Sequence, residues 1–222
     1  MWPGRHSAMV RASTVPSMGG LPMGKSTEFD TLIVYCHPYD MSLNAAVLTA
    51  VEEGLDRAGR TFEVCDLYSD GFDPVLHAGD LELYNEGKTT DELVRRYQKA
   101  LLSAKHLVLV TPIWWNDVPA LLKGWLDKVM LVGFSWEATG HGLEGTLGRA
   151  IESVDVFTTS AEPTEHLRAA IEATLFDGTF AQLGIARRAW HNFGGMDQST
   201  VEQREAWLAE VTRTVAGETQ AC

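Results

Sequence analysis

The chain has 222 residues, 45% hydrophobic and 22% charged, with a formal net charge of −12. These values suit one globular domain with a short extension and a core large enough to need no disulfide. The acidic balance argues against nucleic acid or an anionic membrane surface as the partner, and no stretch approaches the ~20 apolar residues of a membrane span.

Residues 1–28 hold Pro3, Pro16 and Pro22 among glycines, serines and four methionines, with no hydrophobic period. They lack the continuous apolar stretch of a secretory signal. They read as a disordered extension or a misplaced start, with Met23 the candidate start. Gly19 to Ser26 matches the phosphate-loop pattern G-x-x-x-x-G-K-S. That loop works only between a buried strand and a helix, and neither is expected here, so nucleotide hydrolysis is set aside. The cysteines, Cys36, Cys65 and Cys222, form no Cys-x-x-Cys pair, so no zinc or redox motif is supported. A reducing cytoplasm is the expected compartment.

From Thr31 onward, strand and helix patterns alternate, giving one expected domain over 29–217 and a short tail over 218–222. Leu32 to Cys36 reads as strand one, and Ser42 as the N-cap of a helix over Leu43 to Ala58. Thr61 to Leu67 alternates as strand two. Tyr68 to Lys88 is expected to be mostly loop, with room for one helical turn. Thr90 then reads as the cap of a helix over Asp91 to Ser103. His106 to Val110 is strand three, and Val118 to Val132 a helix with Pro119 in its first turn. Phe134 to Leu147 is glycine-rich and expected to be loop. Arg149 to Thr158 is strand four. Pro163 to Leu183 is expected to be helical, broken at Gly178 and Gly184. Ile185 to Asn192 is strand five, and Ser199 to Val215 the last helix.

Such alternation predicts an α/β fold with a parallel sheet and helices on both faces. Five strands fit the doubly wound, flavodoxin-like order 2-1-3-4-5, a three-layer sandwich. The loops after strands one, three and four then share one sheet edge, where ligands bind in such folds. Loop one, His37 to Asn44, enters a helix N-terminus, an anion-favouring place. His37, Ser42 and Asn44 could donate around a phosphate there; the plainer alternative is a helix cap beside a surface histidine. Loop three carries Trp114-Trp115. The plainer alternative sends one ring into the core and the other onto a partner chain, and strand alternation lets only one face a ligand. Loop four, Thr158-Thr159-Ser160-Ala161, offers small hydrogen-bonding groups. Phosphate donors, aromatic walls and small polar groups together suit a flavin mononucleotide portion. No paired carboxylates, metal spacing or serine elbow stands out, so the chemistry would be the cofactor's.

The stretch Pro112-Ile113-Trp114-Trp115 through Val118-Pro119-Ala120-Leu121-Leu122-Lys123-Gly124-Trp125-Leu126-Asp127-Lys128-Val129 resembles the NAD(P)H:quinone oxidoreductase family of flavodoxin-like proteins. That family includes quinone reductases, modulators of drug activity and ancillary proteins of potassium efflux systems. The likeness spans about Thr31 to Val215. It implies a homodimeric flavoenzyme that takes hydride from NADPH or NADH and passes it to a quinone-like acceptor. It places His37, Ser42, Leu43 and Asn44 at the flavin phosphates. Pro112, Ile113, Trp114, Trp115 and Asn116 would lie along the isoalloxazine ring, and Thr158, Thr159, Ser160 and Ala161 at its polar edge. Trp136, after Phe134, falls at a substrate-pocket wall contributed across the dimer. Trp115 and His166 are the candidates to act at the reacting ring. Two departures are visible. Ser160-Ala161 stands where the family usually has Gly-Gly, and Asn116-Asp117 where it has an aromatic and a glycine. The sparse supply of aliphatic hydroxyls, Ser42 alone in loop one, favours FAD over FMN. The alternatives kept open are a flavin electron carrier and an ancillary subunit of a transporter.

Overall fold

Continuous apolar runs, each flanked by polar turns, form the strands of one parallel sheet. The computed structural model describes residues 29–218; the segment 1–28, its phosphate-loop pattern and Cys222 lie outside the described residues. In chain order the elements are β1 (Thr31–Tyr35), α1 (Leu43–Arg57), β2 (Phe62–Asp66), α2 (Ala78–Tyr84) and α3 (Glu92–Ser103). Then come β3 (His106–Pro112), α4 (Ala120–Val129), β4 (Trp136–Thr139) and β5 (Gly142–Gly145). Last are β6 (Ser153–Thr159), α5 (Thr164–Ile171), a π-helical segment (Glu172–Phe180), β7 (Arg187–Phe193) and α6 (Val201–Ala216). The main sheet has the order β2-β1-β3-β6-β7. Counted by its own strands this is 2-1-3-4-5, the expected topology.

Strand parity divides the core. Leu32, Val34, Cys36, Leu107 and Leu109 pack with Tyr97 of α3 and Trp125 of α4. Ile33, Tyr35, Val108 and Val110 pack with Val47 and Val51 of α1 and Val211 of α6. Each fully buried aliphatic side chain of this kind contributes about 1.5–3 kcal/mol before chain entropy is counted. Both sheet faces are therefore covered, and only the strand ends are left to carry function.

The structure differs from the expected elements in several places. Tyr68 to Lys88 contains α2, a two-turn helix rather than one turn. The N-cap of α3 is Asp91, whose carboxylate accepts from the Leu93 and Val94 amides; Thr90 lies one residue outside. Pro119 is the N-cap of α4, so that helix is shorter than expected at both ends. The glycine-rich stretch after Phe134 is the antiparallel hairpin β4–β5, not loop. Its last glycine serves close approach: a Cβ on Gly145 would stand 2.1 Å from the Gln182 carbonyl oxygen. Gly178 does not break the helix before it. It sits inside the π-helical segment, where a Cβ would lie 2.8 Å from the Ala173 carbonyl oxygen, five residues back. The missing side chain gives the wide turn its room.

Candidate functional site

The C-terminal ends of β1, β3 and β6 are neighbours in the sheet, so the loops after them meet at one edge. The first loop turns β1 into α1. Ser42 caps the helix, its Oγ accepting from the Ala45 amide at 3.1 Å. Its carbonyl takes the Ala46 amide. The Leu43 and Asn44 amides of the first turn keep no intrahelical partner, and the helix dipole favours an anion beside them. His37 stands next to this turn, its Nδ1 accepting from the Tyr39 amide at 3.1 Å. In a neutral ring the proton then sits on Nε2, which is left to donate. Burial pushes the imidazole pKa below its ordinary value, so the neutral form is the resting one.

The Asn44 side chain is not a phosphate donor. It turns inward, and its Nδ2 donates to Thr159 Oγ1 at 2.8 Å, with both residues buried. Its Oδ1 is buried without a partner among the described residues. Asn44 sits in the first turn of α1, against the end of β6, so its contribution to an anion site is its backbone amide.

The third loop is a two-residue hairpin turn. The Trp114 amide donates to the Asp117 carbonyl at 2.9 Å, and the Asp117 amide donates back at 3.2 Å. Trp115 and Asn116 between them have φ of 51° and 64°. Positive φ at both central positions defines a type I′ turn, in which asparagine is at home. A left-handed tryptophan is not, and costs about 1–2 kcal/mol. Strain of this kind gathers at functional sites. The Trp115 ring is 100% exposed and the Trp114 ring 43% exposed, so neither enters the core. The alternation that would have sent one ring inward stops at Pro112, where the strand ends and the turn begins. Pro112 and Ile113 are buried beneath, and the Ile113 amide donates to the Thr159 carbonyl at 2.8 Å. The Trp114 ring meets His37 edge-on at 6.0 Å between centroids, which joins the first and third loops.

The fourth loop follows β6. Thr158, Thr159 and Ser160 are buried, and their hydroxyls are committed within the protein. Thr158 faces β7, accepting from Trp190 Nε1 at 2.8 Å and donating to Asn192 Oδ1 at 2.7 Å. Asn192 Nδ2 donates to Ser160 Oγ at 2.9 Å, and Ser160 donates to the Glu162 carbonyl at 2.7 Å. Thr159, one residue on, points to the opposite face and meets Asn44. The expected polar edge of hydroxyls is therefore corrected: these hydroxyls hold the loop, and the exposed Ala161 and Glu162 backbone is what remains to face a ligand. Trp190, Asn192 and Thr164 were not singled out from the sequence. The polar end of an otherwise ordinary strand, Trp190-His191-Asn192, was the available signal.

His166 lies in the first turn of α5, exposed, with Nδ1 3.3 Å from Glu162 Oε2. It shares the edge with the fourth loop. Phe134 and Trp136 are half-buried against the chain's own core, and Trp136 Nε1 donates to the Met130 carbonyl at 3.1 Å. They anchor the β4–β5 hairpin, leaving part of each ring for a pocket. Among the described residues there is no cluster of metal-ligating side chains and no helix long and apolar enough to cross a membrane.

A family model described as flavodoxin-like fold matches residues 30–215. The chain belongs to that family. Ribosyldihydronicotinamide dehydrogenase (quinone) of Rattus norvegicus is 27% identical over 202 residues, covering 80% of this chain and 87% of the relative. An uncharacterized NAD(P)H oxidoreductase of Haemophilus influenzae is 26% identical over 182 residues, covering 80% and 89%. The solved NAD(P)H:quinone oxidoreductase of Methanothermobacter marburgensis superposes with a TM-score of 0.75 at 26% identity, covering 85% of this chain and 96% of that one. The flavodoxin-like relatives thus carry the family resemblance first drawn from the tryptophan loop.

Proposed function

We propose that the chain is a flavin-dependent reductase that moves hydride from NAD(P)H to a quinone-like acceptor. The carrying observation is the junction of the α1 N-terminus with the tryptophan turn through the His37–Trp114 contact. Anion donors and an aromatic wall stand side by side at a sheet edge, as a phosphate-bearing flat cofactor requires. A bound flavin supplies the two-electron chemistry between nicotinamide and quinone. The chain's residues bind and orient it. The Leu43 and Asn44 amides and His37 Nε2 hold the phosphates. Pro112, Ile113 and Trp114 back the ring, with Trp115 and Asn116 at the rim of the turn. The backbone of Ala161 and Glu162 borders the polar edge, held by the Thr158, Thr159 and Ser160 hydroxyls beneath. His166, paired with Glu162, is assigned to proton exchange with the acceptor through Nε2.

A homodimer fits this reading, because a fully exposed, strained Trp115 ring calls for cover and the partly open Phe134 and Trp136 rings could line a pocket shared with a second copy. FAD is preferred to FMN, since loop one offers a single aliphatic hydroxyl, Ser42, already engaged as a cap. A cytoplasmic setting goes with the unpaired Cys36 and Cys65. The net charge of −12 favours a second reading, a flavin electron carrier. Turnover separates the two. Purified protein is expected to be yellow and to oxidise NADPH or NADH with a simple quinone. A flavin-loaded protein without that turnover refutes the enzyme reading.

A further inference from the structure

The opposite edge of the sheet carries a second polar assembly. Thr31, His106, Ser153 and Arg187 are lateral neighbours, the first residues of β1, β3, β6 and β7. Residues in register share a face, here the one under α1 and α6. They line a cavity of about 360 Å³ whose apolar wall is Leu55, Val108 and Val215, with Arg60 also in the lining. The length of β3, roughly 20 Å, separates it from the tryptophan turn.

Thr31 is 1% exposed, and its hydroxyl has no partner among the described residues. A buried hydroxyl left unbonded is costly, and rotation about its Cα–Cβ bond can present it to the cavity. Arg60 makes no ion pair among the described residues. Arg187 has only an exposed pair with Glu152 at 3.2 Å, of a kind that binds weakly. His106 Nδ1 lies 2.9 Å from Ser153 Oγ. Burial, and then the Arg60 charge, hold the His106 pKa below its ordinary value; Glu152 pulls the other way, and Arg187 adds to the lowering. Two guanidinium groups thus converge on neutral donors in a protein of net charge −12. Glu152 and Asp155 oppose them, but Glu152 is the exposed partner of Arg187 and Asp155 is hydrogen-bonded to His191 at 2.9 Å. The C-terminal dipoles of α1 and α6 also oppose, each with about half a charge against two whole ones.

We propose that this cavity binds a small organic carboxylate. Its oxyanion sits between Arg60 and Arg187, with Thr31, Ser153 and His106 as neutral donors. Its short carbon body lies on Leu55, Val108 and Val215. The volume is at the small end of ligand sites, and the apolar wall selects a carboxylate with a carbon body over inorganic phosphate. This site is independent of the flavin edge.

The test is a titration of the isotope-labelled full chain with benzoate, and in parallel with inorganic phosphate, followed by nuclear magnetic resonance at constant ionic strength. Benzoate is expected to shift the Thr31, His106 and Ser153 signals saturably, with a Kd of about 1 mM or below. It should also move the His106 ring toward its protonated form. Arg60→Gln should weaken binding about tenfold, with quinone turnover unchanged. Thr31→Val should raise the Tm of the free protein yet weaken benzoate, opposite signs that a purely structural threonine would not give. Unsaturated shifts up to about 10 mM, or undiminished binding in Arg60→Gln, overturn the site. Phosphate binding as tight as benzoate overturns the carbon-body assignment.

Discussion

Thr159→Val tests whether α1 and β6 are locked into one site edge. Thr159 Oγ1 accepts from Asn44 Nδ2 at 2.8 Å. The two residues are 2% and 3% exposed, so water cannot replace the bond. Valine keeps the shape and removes the acceptor. Asn44 would then bury an unpaired amide N–H beside an Oδ1 that already lacks a partner. An unmade buried hydrogen bond costs about 1–3 kcal/mol. At roughly 2–4 °C per kcal/mol for a domain of this size, a loss of about 2 kcal/mol lowers Tm by about 4–8 °C. Thermal and urea denaturation of the flavin-free protein would measure this, followed by a flavin titration. Flavin affinity should fall with stability, because the Asn44 amide and side chain ride on the same first turn. In an Asn44→Ala background the effect of Thr159→Val should largely vanish. A Tm change within about 1 °C, or an undiminished effect in that background, would refute the coupling.

Three further outcomes follow from the same structure. Trp115→Gly relieves a φ of 51° and removes a ring that is 100% exposed, so the flavin-free chain should gain up to about 1 kcal/mol while quinone turnover falls; equilibrium unfolding beside steady-state kinetics checks both signs. His37 and His106 have folded pKa values held below 6.5 by burial. Below that pH the unfolded chain binds more protons than the folded one, so stability should fall on acidification from about 6.5. His37→Asn should make that pH dependence shallower in urea melts run at several pH values. Burial pushes the Cys36 and Cys65 thiols up to about 12. Neither should take up a thiol reagent in the native state, and both should do so after denaturation, as peptide mass mapping would record.

The sheet and its order were legible because its central strands are buried on both faces and write unbroken apolar runs, Leu107 to Val110 above all. The edge carrying the site followed from that order. Side-chain direction at the edge did not. Whether Thr158 or Thr159 meets α1 depends on parity against β7, which is set by register rather than by local sequence. Asn44 read as a free donor because nothing nearby in sequence reveals Thr159, 115 residues away. The turn at Trp115-Asn116 was hidden for a different reason: a tryptophan at positive φ goes against local preference, and only the Trp114–Asp117 pairing reveals it. The β4–β5 hairpin was masked by glycines that look like loop signals: Gly142 turns the hairpin at a φ of 124°, and Gly145 makes backbone contact with residues 182–184.

The central claim is that this sheet edge carries a flavin which takes hydride from a nicotinamide and delivers it to a quinone. Anaerobic mixing of the purified, flavin-loaded protein with NADPH or NADH, followed by a quinone, tests it in one trace. The account predicts that the yellow absorbance bleaches with the nicotinamide and returns with the quinone. A protein that holds flavin yet keeps its colour with both nicotinamides would contradict it.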